Sequence, residues 1–329
     1  MARELAPDIA GQAGYGRVFS ADRLTLGLMA PVEGYPGRPG PTLHDHAALI
    51  QLADELGFAA IWARDVPFYD PRFGDVGQIL DPMIYLGWLA ALTRKITIGT
   101  AGIVLPLRDP VLVAKQAASV DQLLGGRFVL GLSSGDRPTE YPAMGRNFDD
   151  RSERFREARE IISKLTTSHF PRFDTRYYGS FDGGLDLVPK PRGARLPTVA
   201  IGRGGQSFEW LYANMDAWIW HLSDFSKLPQ VIAQWHAAGE AQGLPYKPYG
   251  YSTFFELDAD PNAPLQFAHG IRIGRNPLIE LLKRQQDEGV RHLAINLRPS
   301  HRPSAEVLDE LAEFLLPHFP TPDLIAESA

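Results

Sequence analysis

The chain contains no cysteine. Disulfides, thiolate metal sites, iron–sulfur ligation and cysteine nucleophiles are thereby excluded, and any metal would depend on histidine and carboxylate ligands. A basic excess is missing too: 33 Lys and Arg face 39 Asp and Glu, a net charge of −6. That is the wrong sign for a protein that neutralises nucleic-acid phosphates. Nor is there a long hydrophobic run. The longest, residues 83–92, spans about half a bilayer and is interrupted by Gly87. Residues 1–21 carry Arg3, Glu4 and Asp8 and no apolar core, so they do not read as a secretory signal. The expectation is a soluble cytoplasmic protein with neither a membrane nor a nucleic acid as partner.

What the chain does have is core material, with 44% hydrophobic residues, and punctuation, with 31 glycines and 27 prolines among 329 residues. Short apolar, β-branched runs alternate with amphipathic stretches. Strands are expected at 24–29, 59–63, 96–100, 128–132, 198–201, 216–220, 250–256 and 292–296. Helix starts between them have mechanisms. Thr42 with Asp45 resembles a capping box, and Asp81-Pro82 and Asp109-Pro110 each offer an acidic cap before a first-turn proline. Apolar stripes at helical spacing need a sheet to cover: Val113, Ala117, Val120 and Leu124, then Phe155, Ala158, Ile162 and Leu165, then Val307, Leu311 and Phe314. Gly57 and Gly125-Gly126 suit left-handed helix ends. Eight βα units predict an α/β fold closed as a (β/α)8 TIM barrel, because an open sheet of eight parallel strands would leave two long edges unpaired. The domain reading is an N-terminal extension at 1–23 and a single barrel domain at 24–329. Residues 166–197, with RYYGSFDGG and LDLVPKP, predict a hairpin inserted before the fifth strand and placed to cover the site.

In such a barrel the reactive groups project from the carboxyl ends of the strands. The shortlist is Met29 and Ala30, Arg64 and Asp65, Thr100, Ala101 and Gly102, Ser133, Ser134 and Gly135, Gly202 and Arg203, His221, Glu256, and Asn296 with Arg298. No lysine ends a strand to form a Schiff base. The segment AIGRGGQSFEW, residues 200–210, runs from a strand through Gly202, Arg203, Gly204 and Gly205 to a helix starting near Gln206 and Ser207. Free amides, close backbone approach, an arginine and a hydroxyl are what a phosphate needs. A plain glycine turn between strand and helix uses the same residues; the position at the barrel rim favours phosphate. The small residues of GTAGIVLP, residues 99–106, suit either a flat ring against the backbone or tight rim packing. His221 serves equally as a functional group or a structural hydrogen-bonding one. His44 and His46 form a His-x-His pair, for which solvated helix residues are the simpler use and a metal site the alternative.

The order of GFAAIWARD, of KITIGTAGIVLPLRDPVLVAKQAASVDQLLGGRFVLGLSSGDRPTEYPAMG and of LDLVPKP resembles the luciferase-like flavin-dependent oxidoreductases, over about residues 24–316. The middle motif passes from a helix through DQLLGGRF and a strand to Glu140-Tyr141, with Gly145 beyond. The resemblance implies the (β/α)8 barrel with its insertion, a homodimer, and reduced FMN or, in one branch, a deazaflavin coenzyme as cofactor. It places Thr100, Ala101 and Gly102 beneath the isoalloxazine, where family members often have a non-proline cis peptide. Ser133, Ser134 and Tyr141 match the ribityl and phosphate side, and Gly202 to Ser207 match the phosphate turn; Met29 and Ala30 complete the cofactor set. One departure stands out. Many members follow the second strand with an acid and a histidine, and this chain reads Arg64-Asp65-Val66.

The expected function is a monooxygenase using reduced FMN and oxygen on a small organic substrate, with a separate flavin reductase as a candidate partner. Arg64, His221 and Arg298 are the expected polar groups around the ring face. The alternatives are a deazaflavin-dependent dehydrogenase that passes hydride, a metal-dependent hydrolase built on His44 and His46, and a non-catalytic flavin-binding protein. Trp62, Trp88 and residues 83–92 are the expected dimer surface, a buried core helix being the other use of that stretch.

Overall fold

In the computed structural model, which describes residues 4–221, 224–268 and 270–322, every expected apolar run becomes a strand of one parallel barrel. The strands are β1 (Thr25–Met29), β2 (Ala60–Ala63), β3 (Thr97–Thr100), β4 (Phe128–Ser133), β5 (Thr198–Ile201), β6 (Ala217–His221), β7 (Tyr249–Leu257) and β8 (Val290–Asn296). Each pairs in parallel with its neighbours in sequence, and β8 returns to β1 with Leu26 opposite Leu293, so the barrel closes. Closure removes the two edges that an open sheet would expose. The helices outside are α1 (His46–Leu56), α2 (Pro82–Leu92), α3 (Pro110–Leu123), α4 (Arg151–Thr167), α5 (Phe208–Asn214), α6 (Leu228–Glu240), α7 (Arg275–Glu288) and α8 (Ser304–Phe314).

Alternation along each strand divides the core in two. Leu26, Leu28, Ile98, Leu130, Leu293 and Ile295 face the helices, each contributing roughly 1.5–3 kcal/mol by burial. Met29, Ala60, Trp62, Val129, Val199, Ala217, Ile219 and Ala294 fill the interior. Two large interior groups set the strand composition around them. Trp62 Nε1 donates to His292 Nε2 at 2.9 Å, and His292 Nδ1 lies 2.8 Å from Thr25 Oγ1. Gly27 and Gly99 leave the room: a Cβ on Gly27 would sit 2.8 Å from the His292 ring, and one on Gly99 would overlap the Trp62 ring. Trp62 is therefore a barrel-core residue and not part of a dimer surface.

The N-terminal extension is structural. Two short helices, Pro7–Ala10 and Ala13–Val18, carry Ile9, Tyr15, Val18 and Phe19 into the amino end of the barrel. Tyr15 donates to the Asp216 carbonyl at 2.8 Å and Thr97 Oγ1 to the Gly14 carbonyl at 2.9 Å. Residues 1–3 of the extension and 323–329 of the barrel reading lie outside the described residues.

Local signals were realised unevenly. Asp81 and Asp109 cap α2 and α3 through their carboxylates, each followed by proline. Gly57, Gly125 and Gly126 take left-handed conformations at helix ends. The capping box at Thr42 and Asp45 does not form: Thr42 Oγ1 accepts from the His44 amide at 3.1 Å, the Thr42 amide donates to Glu33 and not to Asp45, and α1 starts only after Asp45, without a side-chain cap. The insertion does form a hairpin, Arg172–Asp174 with Ser180–Asp182. None of its residues lines the cavity at the carboxyl end of the barrel. Its turn is held against α4 by Glu153 and Glu157, which accept from Arg176 and Tyr177.

Candidate active site at the carboxyl end of the barrel

A cavity of about 460 Å³ opens at the carboxyl ends of the strands, within the size range of small-molecule and cofactor sites. Met29, Arg64, Ala101, Gly102, Ser133, Ser134, Gly202, Arg203, Gly204 and His221 line it, as expected from their places at strand ends. Trp62 and Ile219 add an apolar floor, and Ala101 and Gly102 give a flat ligand close access to the backbone.

Other expected residues sit behind the wall. Ala30 is fully buried, its amide donating to the Trp62 carbonyl at 2.8 Å. Thr100 Oγ1 joins β3 to β4, donating to the Gly131 carbonyl and accepting from the Gly131 amide, both at 2.8 Å. Tyr141 is buried with its hydroxyl on the Ser134 carbonyl, supporting that loop from beneath. The described cis peptide bonds both precede proline, at Ala30-Pro31 and Val188-Pro189, and not at Thr100 to Gly102.

The glycine turn after β5 divides likewise. Gly202, Gly204 and Gly205 adopt positive φ, and a Cβ on Gly202 would meet nothing within 4 Å. The Gly202 amide bonds to the Ile219 carbonyl, while no protein acceptor takes those of Arg203, Gly204 and Gly205 among the described residues. Three free amides beside a guanidinium form a ready anion cradle. Gly205, Gln206 and Ser207 are not in the cavity lining. Gln206 is buried against Arg156, the Ser152 carbonyl and the Gly204 carbonyl, and Ser207 caps α5 by accepting from the Trp210 amide at 3.2 Å. The unpaired donors among these residues thus lie in the turn, while the Gln206 and Ser207 side chains have protein partners.

The charged groups are mostly paired. Arg64 donates twice to Asp75, at 2.6 and 2.9 Å, and Asp75 also accepts from Tyr35 at 3.2 Å and from the Gly77 amide at 3.1 Å. These donors hold the Asp75 carboxyl below its ordinary range against the opposing effect of burial. Arg298 does not line the cavity: it donates to the Gly74 carbonyl and lies 3.8 Å from Asp75, clamping the loop between β2 and α2. Asp65, the acid retained beside Val66, is bound by Arg108 through two bonds of 2.7 Å. His221 stands in the mouth, 5.6 Å from the Phe254 ring. Desolvation lowers its pKa, opposed by a hydrogen bond to the Ser252 backbone and aided by the Arg64 charge. His44 and His46 diverge: His44 is exposed beside Asp45, whereas His46 lies 2.8 Å from the Tyr85 hydroxyl. No group of three metal-ligating side chains gathers among the described residues.

Sequence reasoning missed Asp75, which holds Arg64 from behind the wall, and Glu140, which lines the cavity. Asp75 lies in a loop with no periodicity to flag it; Glu140 stood beside Tyr141 in the quoted motif but was given no role. Glu140 lines the cavity at 5% exposure, and its Oε1 accepts no hydrogen bond. Arg137 approaches no closer than 3.8 Å. Burial pushes the Glu140 carboxyl up to about 7, with Arg137 opposing.

The luciferase-like monooxygenase family profile matches residues 24–317. The 4-hydroxyprotoasukamycin monooxygenase of Streptomyces nodosus subsp. asukaensis is 29% identical over 178 residues, 54% of this chain and 46% of that protein. The F420-dependent glucose-6-phosphate dehydrogenase of Kineococcus radiotolerans is 31% identical over 197 residues, 56% of each chain. The matched part of the chain thus spans about half the length of these relatives. Among solved structures, monooxygenase RslO1 from Streptomyces bottropensis superposes with a TM-score of 0.75 at 17% identity, covering 90% of this chain and 100% of that one. An F420-dependent secondary alcohol dehydrogenase superposes with a TM-score of 0.73 at 18% identity, covering 90% and 99%. Both likenesses concern the fold. The profile match takes in all eight barrel strands and the whole rim of the cavity, and the chain therefore belongs to the luciferase-like monooxygenase family.

Proposed function

We propose that this protein is an FMN-dependent monooxygenase acting with oxygen on a small organic substrate. The observation that carries the reading is the turn at Gly202 to Gly205, where the unpaired amides of Arg203 and Gly204 and the Arg203 side chain lie at one side of a cavity floored by apolar and small residues, with the unpaired Gly205 amide adjoining. The phosphate would rest on that turn, and the ring against Ala101 and Gly102. Reduced FMN, when bound, supplies the electrons and the reaction with oxygen. The chain's own part is to orient and to exclude water: Trp62, Met29 and Ile219 close the floor, and Arg64, fixed by Asp75, presents a positive charge to the wall. His221, neutral at pH 7, is placed to accept a proton at the mouth. Arg298 acts through Asp75 as a positioning residue.

A second reading, the deazaflavin-dependent dehydrogenase, is favoured by the F420-dependent relatives. The two separate in one assay. Protein with prereduced FMN and labelled oxygen, offered a panel of aldehydes and ketones, should place one labelled oxygen atom in a product. Reduction of F420 by an alcohol, with no oxygen incorporation, would replace the first reading by the second. The same reading keeps residues 24–329 as one domain with an insertion at 166–197, and pairs the chain as a homodimer. The dimer contact would use Leu80, Ile84 and Trp88, which line one shallow apolar depression beside α2.

A further inference from the structure

Glu140 opens the short helix Glu140–Ala143 just beyond β4 and lines the cavity while almost wholly buried. A carboxylate there would be poorly supported. Its Oε1 has no donor, and Arg137 directs its guanidinium to the carbonyls of Phe68 at 3.4 Å and Asp75 at 3.0 Å. The other charges facing Glu140 are acidic: Asp65, Asp70 and Asp136. Asp65 is bound by Arg108, and Asp70 by Arg72 and Thr139. The neighbouring Tyr141 hydroxyl is turned away to the Ser134 carbonyl. A buried carboxyl with few donors and several acidic neighbours favours its neutral form.

Resting on the reading of the cavity as a flavin site, we propose that Glu140 keeps its proton in the folded protein and supplies it, through its carboxyl O–H, to an oxygen or nitrogen of the ligand held there. In that step the O–H bond of Glu140 breaks as a new O–H or N–H bond forms on the ligand. The carboxylate then regains a proton from water at the mouth. The rise of its pKa to about 7 agrees with the geometry. His221 is the less suited proton source, since its lowered pKa leaves it without a second proton at neutral pH. The arrangement places an acid on the wall of a chain that carries Val66 after its second strand in place of a histidine.

The test is infrared difference spectroscopy of the full chain across pH, without and with oxidised FMN. The parent should show a protonated-carboxyl band that persists to about pH 7, shifts when FMN binds, and is missing in Glu140→Gln but kept in Asp136→Asn. FMN affinity should fall about tenfold as the parent is taken from below to above that titration, and stay level in Glu140→Gln. A parent without the band at neutral pH overturns the proposal. So does a band that ignores bound FMN. A chain that keeps the titrating band but binds no flavin contradicts the cofactor reading and still supports the proton on Glu140. Should Glu140→Gln fail to fold, Glu140→Asp must displace the band.

Discussion

On the proposed reading, the Arg203 side chain and the unpaired amides of Arg203, Gly204 and Gly205 hold the flavin phosphate by electrostatic contacts. Arg203→Glu should weaken FMN binding by about ten- to a hundredfold, because a charge-assisted contact becomes a repulsion. Fluorescence-quenching titration measures this, and unchanged affinity would remove the phosphate from this turn. The residue scale is also where sequence was least sufficient. The rim rule found twelve of the cavity's lining residues, because strand-end position depends on a short-range pattern. It misplaced Arg298, whose guanidinium is drawn off by the Gly74 carbonyl and Asp75, groups on a loop more than two hundred residues away in sequence. The family resemblance gives Tyr141 and Gln206 to the cofactor, whereas their polar atoms are committed to protein partners. Side-chain hydrogen bonds across loops leave no periodic trace in the chain.

Elements were more legible, since caps and apolar stripes are local. Asp81 and Asp109 act as their sequences indicate, while Thr42 does not cap because its hydroxyl oxygen accepts from the His44 amide and α1 starts only after Asp45. Some connections draw on single buried groups. Asp54 at the end of α1 accepts from the amides of Arg94, Lys95 and Ile96 at 2.7, 2.8 and 2.6 Å, fixing the entry to β3. Asp54→Ala orphans all three and should cost about 3 kcal/mol, measured as a lowered urea midpoint with unchanged slope. His292 sets an acid limit between β8 and β2. Burial lowers its pKa to about 3, far below the unfolded value of about 6.5. The stabilisation of its neutral form is therefore complete above about pH 6.5 and is lost as pH falls toward 3, by up to about 1.4 kcal/mol per pH unit. Urea unfolding from about pH 7 down to 4 should show that slope; His292→Gln should flatten it. An equal slope in the variant would assign the acid sensitivity elsewhere.

At the scale of the whole molecule, the eight-strand count is enough to predict closure, while the first residues carry no strand or helix pattern that shows where they pack. Ile9, Tyr15 and Phe19 fill the barrel's amino end, where an interior too wide for its own alanines and valines needs outside material. The proposed dimer rests on the outer face of α2, where Ile84 is 76% exposed while Leu86 and Leu89 point inward. Light scattering should give twice the chain mass for the parent and the single-chain mass for Ile84→Lys; a monomeric parent rejects the pairing. The central claim is that the carboxyl-end cavity holds a phosphorylated flavin. Native mass spectrometry of the full chain, equilibrated with equal concentrations of FMN and riboflavin, tests it most directly. One FMN bound per chain, with riboflavin largely excluded, is the predicted result, and equal uptake of the two flavins or binding of neither would contradict it.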